Sequence, residues 1–326
     1  MKNLIITMGD PAGIGPEITI KALTKKPDFN GNLSVLGDIS VLQKTSRSLG
    51  LSQNFNPVET PKDAVSGAIN VIDQESITPD SFCIGKPQSN CADAAYRYIR
   101  KSIELSLNGE ASGVITNPIN KESLKMAGIP FQGHTEIFAH YTRTDNFSMV
   151  FQLDSVAVAH VTTHCSLREA IERVTTQRVY TTIRLLCEYL KGIGIPDPVI
   201  AVGGLNPHAG ENGLFGSEET ESIQPAIHKA KNEGVSVRGP LPPDTVFMRA
   251  FSGEFHGVVS MLHDHGFVAL KSRNFHNGVN ITIGLPIIRT SVGHGTAFDI
   301  AGKGIASEES LIKAIETALK LQQYRN

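Results

Sequence analysis

Three histidines stand where a parallel sheet could deliver them to one place. Val161-Thr162-Thr163-His164 closes one strand-like run, Gly204-Leu205-Asn206-Pro207-His208 follows a second, and Met261-Leu262-His263 ends a third. Imidazole binds zinc, nickel, cobalt and iron, and a site with three protein donors leaves positions open for substrate. One histidine at a strand end reads more readily as structural. Three, in turn-rich contexts after separate strands, read as well as one divalent metal site as they do as separate structural residues. Asp264 is suited to orient a ligand imidazole, or to ligate the ion itself.

Other residues suggest an anionic ligand. Lys271, Asn280 and Arg289 each stand alone in a strand-like apolar stretch (268–271, 278–282 and 287–291). A charge in such surroundings needs a partner, which an anionic substrate would supply. Lys271 reads equally well as a surface residue, whereas Arg289 favours the anion. His134 and Thr135 are placed to donate to an anion, while Glu136 reads first as a helix cap. The proline-set run Gly239-Pro240-Leu241-Pro242-Pro243 presents Asp244, either as a helix N-cap or as a catalytic or substrate-holding carboxylate. The loop Gly9-Asp10-Pro11-Ala12-Gly13-Ile14-Gly15 lacks G-x-G-x-x-G spacing, and Pro16 removes a helix-start N–H. A tight turn lining the active-site cleft is at least as good a reading. Ser291-Val292-Gly293-His294-Gly295 adds a small-residue loop near substrate or cofactor.

The elements that must position these residues alternate. Strands are expected at 4–8, 33–38, 113–116, 156–161, 199–202 and 257–262, and helices from 16 to about 25, after 38 to about 49, and over 92–107, 175–190 and 307–323. The pattern implies an α/β fold of mostly parallel strands, with the chemistry on loops after strand C-termini. A chain of 326 residues suggests two domains. Expected boundaries are 1–135 plus 290–326 for the first and 136–289 for the second. Forty per cent hydrophobic and 19% charged residues describe an ordinary globular protein, and a net charge of -2 gives no basic field for nucleic acid or an acidic membrane. No apolar run approaches the roughly 20 residues that span a bilayer, and the opening run is too short for a signal peptide. Cys83, Cys91, Cys165 and Cys187 show no CxxC spacing, so reduced thiols and a cytoplasmic location are expected.

Together these motifs resemble the 4-hydroxythreonine-4-phosphate dehydrogenase family, known as PdxA. The resemblance covers nearly the whole chain: MGDPAGIGPE at 8–17, GHTE at 133–136, TTH at 162–164, GLNPHAGENGLFG at 204–216, GPLPPDTVF at 239–247, HD at 263–264 and GVNITIGLPIIRTS at 278–291. It implies two α/β/α domains with a cleft between them, similar to isocitrate and isopropylmalate dehydrogenases. It also implies a homodimer, its interface carried by the second domain, with active sites between subunits. His164, His208 and His263 would ligate one divalent ion (zinc, magnesium or cobalt), shared across that interface. His134, Thr135, Lys271, Asn280 and Arg289 would hold the phosphorylated substrate. Catalytic roles would fall to Asp244, Asp264 and Lys271, with NAD or NADP as hydride acceptor.

The implied reaction is oxidation and decarboxylation of 4-phosphohydroxy-L-threonine in pyridoxal phosphate biosynthesis. Two positions depart from the family pattern: HDHG replaces HDQG, adding His265, and Gly293 replaces an acidic residue before His294. GDPAGIGPE, PHAGENGLFG and GTAFDIAG look closer to a second branch that acts on D-threonate and D-erythronate 4-phosphates, which is the alternative substrate class. A metal-dependent hydrolase is the alternative from another class, since three histidines and a carboxylate also suit water activation.

Overall fold

The computed structural model describes residues 3–273 and 278–324; Met1 and Lys2, which begin the opening apolar run, lie outside it. The chain divides into two compact units, residues 1–145 with 285–322 and residues 146–284 with 323–326. Its elements begin β1 (Leu4–Thr7), α1 (Gly15–Lys25), β2 (Leu33–Gly37), α2 (Ile39–Ser48), β3 (Phe55–Pro57), β4 (Ile69–Asp73), α3 (Ser89–Leu107), β5 (Gly113–Thr116), α4 (Lys121–Met126) and α5 (His134–Tyr141). There follow β6 (Ser148–Leu153), β7 (Val156–His160), α6 (Leu167–Arg173), α7 (Thr176–Gly192), β8 (Ile200–Gly203), α8 (Gln224–Asn232), β9 (Val237–Leu241), α9 (Val246–Phe251), β10 (Gly257–Ser260), α10 (His263–Lys271) and β11 (Val279–Ile283). Last come β12 (Ile288–Val292) and α11 (Glu309–Tyr324).

In the first unit the strands run in the order β3-β4-β2-β1-β5-β12, all parallel. Every residue of β1, β5 and β12 is buried. Successive strand residues point to opposite faces, so both faces of these strands are covered, which is why they read as unbroken apolar runs. The chain leaves β1 for β2 on one side, and β5 lies on the other. The loops after β1 and β5 therefore meet at a topological switch point. There the Asp10 N–H donates to the Pro118 carbonyl at 2.9 Å. A Cβ on Gly9, whose φ is +77°, would lie 2.6 Å from that oxygen, so glycine is required. Ile99, Ile103, Val114, Ile137 and Phe138 form a core cluster between the sheet and α3 and α5.

The second unit is mixed. Its strand order is β11-β6-β7-β10-β8-β9, antiparallel across β11, β6 and β7 and parallel from β7 to β9. Most pairings of the chain are parallel, as expected, and the exception at β6 has a simple reason. Only Asp154 and Ser155 connect β6 to β7, with Asp154 at φ +52°, and so short a link permits only a hairpin. Strands β3 and β9 contain Pro57 and Pro240, which disguises them as loop in the sequence. Phe151, Val158, Ala201, Val258 and Leu270 belong to the core of this unit. Strands β7, β10 and β8 are parallel neighbours, so the three histidine-bearing loops leave the same edge of the sheet. Among the described residues no helix is long and apolar enough to cross a membrane, and the four cysteines are free thiols.

Candidate active site

Beyond β7 and β10 the two chain segments stay tied. Val161 N–H donates to Ser260 O at 2.9 Å, and the Thr162 hydroxyl to Met261 O at 2.8 Å. This brings the His164 and His263 rings to a centroid separation of 5.5 Å. His263 is the first residue of α10 and not a strand end, because β10 stops at Ser260, whose hydroxyl turns to Leu262 O. His263 Nδ1 lies 2.8 Å from Asp264 Oδ1, so Nε2 is the nitrogen that Asp264 does not engage. The same contact holds the exposed Asp264 carboxyl below the usual carboxylate range.

His208 is presented differently. From His208 to Asn212 five successive residues are left-handed, with φ between 43° and 77°. Left-handed backbone costs about 1–2 kcal/mol per non-glycine residue, so the surroundings must impose it. Glu219, only 2% exposed, accepts the N–H groups of Leu205 at 2.7 Å and Asn206 at 2.8 Å, and the Asn206 amide at 2.9 Å. Gly204 and Gly210 make room for this packing: a Cβ on either would come within 2.7 Å of Ala209 Cα or of the Glu219 carboxylate. His208 itself is exposed, its Nδ1 3.3 Å from Glu211 Oε2.

Among the described residues no group of three or more histidine, cysteine or acidic side chains within one chain is close enough to hold a metal ion. His164 and His263 fit as two donors, being neighbouring imidazoles with a carboxylate behind one of them. His208 does not join them in a single chain.

In the first unit a second pole forms around Arg289. This residue of β12 is 2% exposed. Its Nη2 donates to Thr116 Oγ1 at 2.9 Å, and its guanidinium carbon lies 5.7 Å from the centre of the Phe138 ring. Burial lowers its pKa to about 10, against the pull of the Glu136 carboxylate. His134 opens α5 with its Nε2 enclosed and, among the described residues, unpartnered. Burial first, and the Arg289 charge second, push its pKa well below the usual value. Thr135 follows in the first helical turn, where backbone N–H groups have no intrahelical acceptor. Among the described residues Glu136, read as a cap, shows no capping bond, and its charge acts on Arg289. A desolvated guanidinium beside a neutral imidazole suits a hydrogen-bonding anion.

The family described as "Pyridoxal phosphate biosynthetic protein PdxA" matches residues 30–318. The chain belongs to the PdxA family. The D-threonate 4-phosphate dehydrogenase of Salmonella typhimurium is 45% identical over 324 residues, covering 98% of this chain and 99% of that protein. A solved structure of 4-hydroxythreonine-4-phosphate dehydrogenase from Klebsiella pneumoniae matches with a TM-score of 0.89 and 43% identity, over 99% of this chain and 98% of that one. A terephthalate 1,2-cis-dihydrodiol dehydrogenase from Burkholderia xenovorans matches with a TM-score of 0.71 and 26% identity, over 97% of each chain. As a member of this family the chain is an oxidoreductase acting on a CH–OH group.

The remaining candidates of this PdxA-family chain are placed as follows. Lys271 is exposed at the end of α10 and does not lie in a strand; a four-residue apolar run cannot separate the two by pattern. Asn280 sits on β11 opposite Phe151, with Oδ1 enclosed and, among the described residues, unpartnered. Asp244 is exposed, and Thr245 rather than Asp244 holds the N-cap position of α9. His265 turns inward, and burial lowers its pKa. Loop 9–15 is wholly buried, and a Cβ on Gly15 would lie 2.2 Å from Met8 O, so it is a packed turn. Gly295, by contrast, is exposed and opens onto free space. Residue type and spacing did not single out Thr116, Glu219 or Phe267. Only Phe267 carried a signal, its four-residue spacing from both His263 and Lys271.

Proposed function

We propose that this PdxA-family enzyme oxidises the 3-hydroxyl of D-threonate 4-phosphate, with NAD or NADP as hydride acceptor and one divalent ion at the histidines. The observation that carries the reading is Arg289, a buried guanidinium beside His134, which suits a phosphate. The names of relatives such as the Salmonella enzyme support the four-carbon acid. Arg289, His134 and Thr135 would fix the phosphate and thereby the position of the reacting carbon. Asn280 and Lys271 would complete the substrate contacts. Asp264 would orient His263, and Asp244 and Lys271 are the groups left to move the hydroxyl proton. When bound, the ion lowers the pKa of the alcohol and polarises the carbonyl that follows. The C3 hydrogen leaves as hydride to the nicotinamide, the hydroxyl proton leaves to a base, and the resulting 3-oxo acid can lose carbon dioxide. The exposed Gly295, with open space where a Cβ would stand, is where we would seat the nucleotide.

His208 stays apart from the His164–His263 pair, so we take the donor set to be completed by His208 of the partner subunit in a homodimer. The name of the Klebsiella enzyme favours a second substrate, 4-phosphohydroxy-L-threonine, which carries an amine at C2 and would use the same phosphate anchor. We take the enzyme to work in the cytoplasm.

The test is a panel of D-threonate, D-erythronate and 4-hydroxythreonine phosphates with each nicotinamide, followed by its reduced-form absorbance. The highest kcat/KM with D-threonate 4-phosphate supports the first reading. A preference for 4-phosphohydroxy-L-threonine selects the second. Product release without any nicotinamide would favour a hydrolase and overturn both.

A further inference from the structure

Helix α10 spaces His263, Phe267 and Lys271 four residues apart, which sets all three on one helical face. Phe267 is the middle of this stripe, and four side chains stand against its partly buried ring. His263 stacks on it at 4.4 Å between centroids with planes 29° apart. His160, from β7, stacks on it at 5.0 Å and 16°. Phe151, from β6, meets it at 5.3 Å and 63°, and the Lys271 ammonium lies 5.5 Å from its centre. The backing is rigid, since His160 and Phe151 are 0% and 1% exposed on paired strands. Helix α10 also sits hard on His160: a Cβ on Gly266 would come within 2.4 Å of His160 Nε2.

His263, in contrast, is only half-buried, and its Nδ1 leans on an exposed carboxylate. By itself that contact to a solvated group would leave the imidazole free to turn. A flat aromatic surface against its face removes that freedom before an ion arrives, which lowers the ordering entropy of binding. We propose that Phe267 is a positioning residue, its ring seated on His160 and fixing the pose in which His263 presents Nε2 to the divalent ion. The inference rests on the metal reading above.

Zinc titration of the full-length protein by calorimetry, with thermal unfolding alongside, tests it. Phe267→Leu keeps apolar bulk and helix propensity but has no flat face, and Phe267→Tyr keeps the ring; His263→Ala sets the background. Phe267→Leu should weaken zinc binding about 10- to 100-fold, the usual weight of a group supporting a ligand, while Phe267→Tyr stays within about threefold of the parent. Phe267→Met, which fills space without a ring, provides the same comparison should the leucine variant fail to fold. An unchanged zinc affinity in the leucine and methionine variants overturns the role. Equal weakening by leucine and tyrosine also overturns it, and marks Phe267 as packing alone. A parent protein that takes up no zinc strikes the metal reading first and this inference with it.

Discussion

A guanidinium out of water needs compensation, and the neighbours of Arg289 include a threonine hydroxyl, an aromatic face and a carboxylate. A phosphate is the anion proposed to join them. Arg289→Ala should therefore raise the KM for the phosphorylated substrate about 10- to 100-fold, the worth of a charged hydrogen bond, and leave the nicotinamide KM unchanged. Equal losses for both would reject the phosphate role. Asp10 poses the opposite problem. It is 1% exposed, its Oδ1 accepts the Ala12 N–H at 2.9 Å, and its Oδ2 is enclosed and unpartnered among the described residues. Burial raises its pKa from 3.8 to about 6. The fold thus binds the proton more tightly than the unfolded chain does. Its favourable contribution is full below about pH 4 and is lost as pH rises through about 6, a change of about 3 kcal/mol. Asp10→Asn should melt higher than the parent near pH 8 and converge with it near pH 4; parallel melting curves across that range would refute the assignment.

At the level of elements, the left-handed turn at 208–212 has little support from its own residue types beyond Gly210, since histidine, alanine, glutamate and asparagine disfavour or merely tolerate it. Glu219 supplies that support from a separate helical turn. Glu219→Gln exchanges one acceptor oxygen for a donor and should destabilise the loop by about 1.5–3 kcal/mol. Hydrogen exchange at the Leu205 and Asn206 amides is the measurement, and unchanged protection there would show the turn to be held by something else. Helix α10 shows how an element can be misread from a short run. His263, Asp264 and Lys271 were all legible as candidates, yet the run Val268-Ala269-Leu270 suggested a strand, because so few apolar residues carry no reliable period.

At the scale of the molecule, each unit holds part of the proposed machinery: Arg289, His134 and Thr135 belong to the first, and the three histidines to the second. A donor set divided between subunits predicts complementation. His164→Ala and His208→Ala proteins, each inactive alone, should on subunit exchange regain up to about a quarter of the parental rate, because half the dimers are mixed and each holds one intact site. No recovery, with exchange shown by mass, would place all the ligands in one chain.

Much of the frame was legible without coordinates. Strands β1, β5, β7, β8 and β10 are apolar runs because both their faces are covered, and that alone locates the loops bearing Asp10, His164, His208 and His263. Residue type likewise marked Arg289 as a charge in need of a partner. The tertiary structure decided the rest: that β6 turns back on β7, that Thr116 and Glu136 attend Arg289, that Glu219 holds the loop of His208, and that His160 and Phe267 lie under His263. Burial on two faces imprints every residue of a strand. A partner brought from a distant segment imprints nothing on the sequence near the group it serves.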